Sequence, residues 1–128
     1  MGDEAAPILE PGLRAQATLD VTQADTAIAL RSGDVPVLST PRVLALAEEA
    51  AVLAVAGRLP AGSTSVGAWV ELFHLAPTRV GRRVVAEAVL ESAEGRRLEF
   101  SIRVREGGEE VARARHRRVI VPRARFGP

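Results

Sequence analysis

The segment from residue 40 to residue 57 constrains the fold more than any other part of this 128-residue chain. It is a run of good helix formers that is apolar on almost every side. Thr40 can cap its start, Pro41 suits the first helical position and Gly57 suits a left-handed end. Because a helix that is apolar all round belongs in the middle of a fold, we predict one buried central helix.

Two adjacent carboxylates, Glu48 and Glu49, interrupt this apolar helix. An ionised carboxylate at a buried position is costly unless it has a partner or a chemical role. Successive helical residues are rotated by about 100° from each other, so one glutamate can face a reactive site while the other is solvated or ion-paired. Glu48 is therefore a candidate functional residue.

After the helix the apolar residues recur with a period of about two, which predicts strands. The long strands are predicted at residues 65–75, 82–92, 97–105 and 111–121, and shorter candidates at 13–21 and 26–30. Short glycine-containing turns at 94–95 and 106–108 predict antiparallel hairpins between the last three strands. The sequence thus predicts an α+β hotdog fold, in which a curved antiparallel sheet of about five strands wraps around one long helix. We expect a single domain over residues 1–128, with loose ends at 1–12 and 122–128.

The last three strands each have one predicted inward face. The predicted inward sets are Val84, Ala86, Ala88 and Leu90; Leu98, Phe100, Ile102 and Val104; and Ala112, Ala114, His116, Arg118 and Ile120. An inward arginine keeps its charge and needs a carboxylate within reach, and the helical glutamates are the candidates.

The strand at 65–75 is apolar on both faces. One face is predicted to carry Val66, Ala68, Val70, Leu72 and His74. Trp69 and Phe73 then point to the other face with Glu71. Two apolar faces need a second covering layer, and in a chain this small we predict that this layer is a second copy, which gives a homodimer. The alternative is that a loop from the N-terminal segment covers Trp69.

Composition and charge exclude several classes of protein. The chain has 17 basic and 16 acidic residues, so its net charge of +1 does not predict a nucleic-acid partner. The absence of cysteine excludes thiol nucleophiles, disulfides and thiolate metal sites. The N-terminal segment lacks the charge pattern of a secretory signal, and the helix is too short and too polar at its centre to span a membrane. We expect a cytoplasmic protein with no membrane partner.

Three residues and their spacing carry a resemblance to a known family. Thr40 is followed after eight residues by Glu48, and Glu48 after twenty-six by His74, with Gly-Ser-Thr-Ser-Val-Gly at 62–67 between them. This pattern resembles the fluoroacetyl-CoA thioesterase-like branch of the hotdog thioesterases. Further matches are Glu-Gly-Arg-Arg-Leu at 94–98 and His-Arg-Arg-Val at 116–119, so the resemblance extends from about residue 40 to residue 121.

The resemblance implies an acyl-CoA thioesterase with a defined set of residues. Thr40 would supply the hydroxyl, Glu48 the carboxylate and His74 the imidazole of the catalytic set. The backbone N–H of Gly67 would stabilise the oxyanion, and Arg118 would hold the acidic residue. Coenzyme A would be part of the substrate, and no further cofactor is implied.

The sequence departs from the family before the helix. The specialised family member has an aromatic lid there, whereas residues 31–38 contain no aromatic residue. A general small acyl-CoA is therefore a safer expectation than a fluorinated one. Glu48 could activate a water or attack the carbonyl to give a mixed anhydride, and His74 could shuttle the proton. No metal is expected, since two histidines make a poor ligand set.

Each functional assignment has a structural alternative. Thr40 could act only as a helix cap, His74 could be a core histidine, and Glu48 could be only the ion-pair partner of Arg118. A non-catalytic hotdog dimer that binds acyl thioesters is the main rival function. A hydratase ranks third, because the helix contains no histidine.

The stretch from residue 103 to residue 125 has eight arginines and three glutamates. This local excess of positive charge fits attraction of the phosphates of coenzyme A and equally fits a solvated strand face. A nucleic-acid surface is less favoured, because aromatic stacking residues are absent from the strand.

Overall fold

The computed structural model describes residues 9–127 of the chain. In chain order its strands and helices are β1 Arg14–Asp20, α1 Ala27–Leu30, α2 Thr40–Ala54, β2 Ser63–His74, β3 Arg83–Glu94, β4 Arg97–Glu106 and β5 Glu109–Pro122. Two 3₁₀ turns, Gln23–Asp25 and Arg123–Phe126, complete the structure. The predicted α+β class, with one long helix and a five-stranded antiparallel sheet, is confirmed.

The sheet has the strand order β1-β3-β4-β5-β2, and all neighbouring pairs are antiparallel. Strands β3, β4 and β5 form the predicted meander, with Gly95 and Gly107 at positive φ in the two turns. Although β2 follows the central helix in sequence, it pairs with the last strand. Strand β2 is therefore at one edge of the sheet.

Helix α2 packs on one face of this sheet and forms the core with it. Its fully buried side chains are Val43, Leu46, Ala47, Ala50 and Ala51. The inward sets predicted for β3, β4 and β5 are all buried, as expected from their alternation. The buried central helix is likewise confirmed.

The start of helix α2 differs from the prediction by one residue. Ser39, not Thr40, is the N-cap, and its Oγ accepts a hydrogen bond of 3.2 Å from the N–H of Arg42. Thr40 is the first helical residue, so its hydroxyl is free for another contact. The helix ends at Ala54, and Gly57 takes the left-handed conformation three residues later.

Residues 26–30 were predicted as a short strand, and this prediction is wrong. Residues Ala27–Leu30 form a single helical turn, in which Thr26 Oγ1 accepts a hydrogen bond from the N–H of Ala29 at 3.2 Å. The run was too short to separate an alternating pattern from a capped helical turn.

A β-bulge between Gly67 and Trp69 corrects the predicted faces of β2. Before the bulge, Gly67 is paired with the inward residue Arg118, so Val66 lies on the outward side. The extra residue at position 68 reverses the alternation, so Val70, like His74, is again on the inward face. The prediction that Val66 shares this face is therefore wrong.

The described parts of both chain ends are hydrogen-bonded to the sheet. Gly12 N–H donates to Leu90 O at 2.8 Å, and Arg123 N–H donates to Gly62 O at 2.9 Å. Residues 1–8 and 128, which belong to the predicted loose ends, lie outside the described residues. Strand β5 continues to Pro122 and a 3₁₀ turn follows it, which corrects the expectation of a loose end at 122–126. None of the helices between residues 9 and 127 has the length and apolarity needed to cross a membrane.

Candidate active site

Thr40 and His74 meet where the start of α2 lies beside the end of β2. Thr40 Oγ1 is 2.9 Å from His74 Nδ1, within hydrogen-bond distance. The residues are 34 positions apart in sequence, so only the packing of the helix against the edge strand brings them together. Because Ser39 takes the capping role, the Thr40 hydroxyl is available to the imidazole.

The other ring nitrogen of His74 is free. Nε2 is buried and has no hydrogen-bond partner among the described residues. Burial lowers the pKa of His74 below its ordinary value, and the nearby backbone of Ala76 acts in the opposite direction. The neutral ring therefore persists to lower pH than that of a free histidine.

Glu48 lies over Gly67, at the bulge of β2. A Cβ built on Gly67 would be 2.7 Å from Glu48 Oε2, so only glycine leaves room for the carboxylate in this position. The same oxygen is 3.6 Å from Arg118 Nη1 and 3.7 Å from His116 Nε2. The Glu48 side chain is 37% exposed, so a reactant can reach it although it projects from the central helix.

Arg118 is buried, and its guanidinium is held at three points. Its Nε donates to Ser65 Oγ at 2.8 Å, and its Nη2 donates to Ser65 O at 3.0 Å. Its Nη1 is 3.1 Å from His116 Nε2. These bonds fix the direction in which Nη1 approaches Glu48.

His116 is part of this site, although the sequence analysis gave it no role. It is 1% exposed, and its Nδ1 is 2.8 Å from the backbone oxygen of Trp69. The signal in the sequence was its inward position on β5 beside Arg118, since a polar residue in a core row needs a reason to be there.

The structure brings the predicted site residues together in two groups. Thr40 and His74 form one, and Glu48, Gly67 and Arg118 form the other. Glu48 follows Thr40 by eight helical positions, which corresponds to about 12 Å along the helix axis. Within residues 9–127, no hydrogen bond or ion pair joins Glu48 to the Thr40–His74 pair.

A cleft of about 340 Å³ adjoins the Thr40–His74 pair. The loop before α2 forms part of its wall, with small and aliphatic residues that include Gly33, Val35 and Val37. The cleft therefore has room for a small apolar group beside the hydroxyl and the imidazole. In the part of the chain that the structure describes, no cluster of three or more His, Asp or Glu side chains could hold a metal ion.

Residues 21–124 match the protein family described as fluoroacetyl-CoA-specific thioesterase. A curated relative, the fluoroacetyl-CoA thioesterase of Streptantibioticus cattleyicolor, is 33% identical over 90 residues, which span 70% of this chain and 65% of the relative. The alignment thus covers a little less than two thirds of that protein.

Solved structures show the same likeness over most of the chain. A variant of a fluoroacetyl-CoA thioesterase in complex with acetyl-CoA is similar with a TM-score of 0.86 and 27% identity, over 92% of this chain and 93% of that one. A hot-dog-like protein from Thermanaerovibrio acidaminovorans has a TM-score of 0.82 and 25% identity, over 91% and 86% of the two chains. The predicted hotdog fold is confirmed by these similarities.

Proposed function

The chain belongs to the fluoroacetyl-CoA-specific thioesterase family, and on that premise we propose that it hydrolyses the thioester of a small acyl-CoA with Thr40, Glu48 and His74. The observation that carries the proposal is the position of Glu48. Its carboxylate projects from an otherwise apolar helix, remains accessible and lies over a glycine that leaves space for it. A purely structural ion-pair partner would not need to be accessible to a reactant.

The chemistry assigns one task to each group. The Glu48 carboxylate either takes a proton from a water that attacks the thioester carbonyl, or attacks the carbonyl itself to give a mixed anhydride that water then hydrolyses. On the water route the carbon–sulfur bond breaks, and the proton that Glu48 took from water passes through His74 to the thiolate, which leaves as the free thiol. On the anhydride route the thiolate leaves first and receives the proton released by the water that later hydrolyses the anhydride. Thr40 orients the imidazole through the hydrogen bond to Nδ1.

Gly67 is the proposed oxyanion donor. The bulge beside it disrupts the backbone ladder locally, and such bulges re-aim backbone groups next to active sites. A backbone N–H aimed at the developing oxyanion stabilises the transition state more than the substrate.

A homodimer unites the two groups of residues. Strand β2 is an edge strand, and an antiparallel pairing of two β2 strands centred on Glu71 keeps inward residues opposite inward residues. In this register Trp69 is opposite the partner's Phe73, and Ala68, the extra residue of the bulge, is opposite the partner's His74. Glu48 of one protomer would then act with the Thr40–His74 pair of the other.

The outer face of β2 supports this pairing. Trp69 is 44% exposed and Phe73 is 50% exposed, so a second copy would pack each against the other's counterpart and remove part of their apolar surface from water. Glu71 would meet the partner's Glu71, and its cross-strand neighbour Arg115 offsets the repulsion.

The substrate we propose is a short acyl group on coenzyme A. The cleft beside His74 is small, and the loop at residues 31–38 has no aromatic residue to select a fluorinated group. The exposed arginines of the stretch from residue 103 to residue 125, which exclude the buried Arg118, are available to attract the coenzyme A phosphates. The rival function, a non-catalytic dimer that binds acyl thioesters, would use the same cleft without turnover.

A hydrolysis screen with detection of the free thiol tests this proposal. The purified protein is offered short linear, branched, aromatic and fluorinated acyl-CoAs. We expect turnover of the short acyl-CoAs, with acetyl-CoA and fluoroacetyl-CoA differing by no more than about tenfold in kcat/KM. Binding of acyl-CoA without turnover of any substrate would favour the binding module, and a preference for fluoroacetyl-CoA of about a thousandfold or more would contradict the general substrate.

A further inference from the structure

We propose that His116 is a positioning residue. Its neutral imidazole holds the Arg118 guanidinium beside Glu48 and prevents Arg118 and Glu48 from forming a tight ion pair. The same imidazole fixes the bulge at Gly67. The proposal rests on the function proposed for Glu48. It concerns a residue that does not touch the reacting atoms and acts through its neighbours.

The hydrogen bonds of His116 determine its protonation state. The backbone oxygen of Trp69 can only accept, so the contact of 2.8 Å requires a proton on His116 Nδ1. Arginine can only donate, so the contact of 3.1 Å with Arg118 Nη1 requires a lone pair on Nε2. The two bonds together are satisfied only by the neutral ring with the proton on Nδ1.

Burial supports the same state of His116. The ring is 1% exposed, and burial is the largest cause that lowers its pKa, with the nearby positive charge of Arg118 acting in the same direction. The hydrogen bond to the Trp69 backbone and, more weakly, the charges of Glu48 and Glu99 act in the opposite direction. The distance of 3.7 Å between Nε2 and Glu48 Oε2 is therefore not a salt bridge, since Nε2 carries no proton to share with the carboxylate.

This arrangement limits how strongly Arg118 binds Glu48. A free guanidinium would form two short parallel bonds to a carboxylate, with N···O distances of about 2.8 Å. Here Ser65 and His116 take three of the five N–H donors of Arg118 and fix its orientation, and the distance from Nη1 to Glu48 Oε2 is 3.6 Å. The positive charge still attracts Glu48, but the carboxylate oxygen remains available for water or for a carbonyl carbon.

His116 also connects this charge pair to the bulge of β2. The register of β2 shifts between Gly67 and Trp69, and the Trp69 oxygen at this irregularity accepts the Nδ1 proton of His116. The ring packs near Phe100, with 6.2 Å between ring centroids, which holds its plane. One side chain therefore sets both the direction of Arg118 and the backbone beside Gly67.

The substitution His116→Phe tests the proposal, because phenylalanine keeps the ring against Phe100 and removes both hydrogen bonds. We expect kcat to fall by about ten- to a hundredfold and KM to change by less than about threefold, since the loss affects the alignment of Glu48 and not substrate binding. His116→Gln can place an amide oxygen near the Nε2 position, where it accepts from Arg118, and should recover part of the lost kcat.

Val104→Ala is the matched control. Val104 is a fully buried inward residue of β4, so its truncation destabilises the sheet and leaves the site intact. The positioning role is wrong if His116→Phe keeps the kcat of the wild type. It is also wrong if the fall in kcat is no larger than that of a Val104→Ala protein with the same melting temperature. If Glu48→Gln is inactive and His116→Phe is fully active, the positioning role of His116 is refuted and the proposed function stands.

The ring state of His116 can be measured without activity. ¹⁵N imidazole spectra of the wild-type protein at neutral pH should show a protonated Nδ1 and an unprotonated Nε2 for His116, with His74→Gln used for assignment. The other tautomer, or an imidazolium, would overturn the proposal even if the enzyme is active. If the wild-type protein hydrolyses no acyl-CoA, this spectrum still decides whether His116 holds Arg118 as described.

Discussion

Glu48→Gln is expected to lower kcat by about a thousandfold or more and to leave acyl-CoA affinity nearly unchanged. Glutamine has the shape of glutamate, so the helix and the contacts around Gly67 are retained. Its amide can neither take a proton from water nor attack the carbonyl as a carboxylate does. The loss should therefore appear in kcat, measured by thiol release. The dissociation constant of a non-hydrolysable acyl-CoA analogue, measured by calorimetric titration, should stay the same.

The neighbouring residue supplies the control for this experiment. Glu49 is exposed, and it is rotated by about 100° from Glu48 around the helix axis. Glu49→Gln makes the same chemical change one residue away and should keep wild-type kcat. If Glu48→Gln retains more than about a tenth of wild-type kcat, or both variants lose activity equally, Glu48 does not perform the chemistry.

Gly67→Ala is the second substitution with a large expected effect. The added methyl group would lie 2.7 Å from Glu48 Oε2, 3.3 Å from His116 Cε1 and 3.5 Å from Arg118 Nη1. The first distance is too short for any real contact, so the carboxylate must move away. Because displacement of a catalytic group by about 1 Å can cost about a hundredfold, we expect kcat to fall by that factor or more. The partly exposed Glu48 side chain can turn toward solvent, so the protein should still fold.

A second glycine provides the control for the general effect of replacing glycine by alanine on stability and kcat. Gly108 lies in the turn between β4 and β5, has no heavy atom near the site of an added Cβ and does not have a positive φ. Gly108→Ala should therefore keep both stability and kcat, measured by thermal unfolding and thiol release. Wild-type kcat in a folded Gly67→Ala protein would show that the position of Glu48 over Gly67 is unimportant for catalysis.

Much of the fold could be predicted because its patterns are local. The helix follows from the helical repeat of 3.6 residues per turn, and the inward rows of β3, β4 and β5 follow from apolar residues at every second position. Burial of one face of each element requires these spacings. The face of Val66 could not be predicted, since one inserted residue at a bulge reverses the alternation of side chains. The amino-acid composition of the strand does not reveal such an insertion. The turn at Ala27–Leu30 was missed because four residues fit either period.

The sequence pointed to candidate members of the site and not to their arrangement. Thr40, Glu48 and His74 were grouped because their spacing resembles that of a known family, but spacing along a chain does not give distances between elements. Eight positions of helix keep Glu48 away from the Thr40–His74 pair within one chain. His116 was placed correctly on the inward face, yet its role depends on hydrogen-bond geometry that only coordinates supply.

Mixed dimers of two inactive variants test the central proposal most directly. Glu48→Gln and His74→Ala proteins are each expected to be inactive, and they are mixed in equal amounts under conditions that exchange subunits. If Glu48 of one protomer acts with His74 of the other, half of the dimers contain one intact site, and about a quarter of wild-type activity should return. Activity that stays at the level of the separate variants, with exchange verified by mass spectrometry, would contradict a catalytic set shared between protomers.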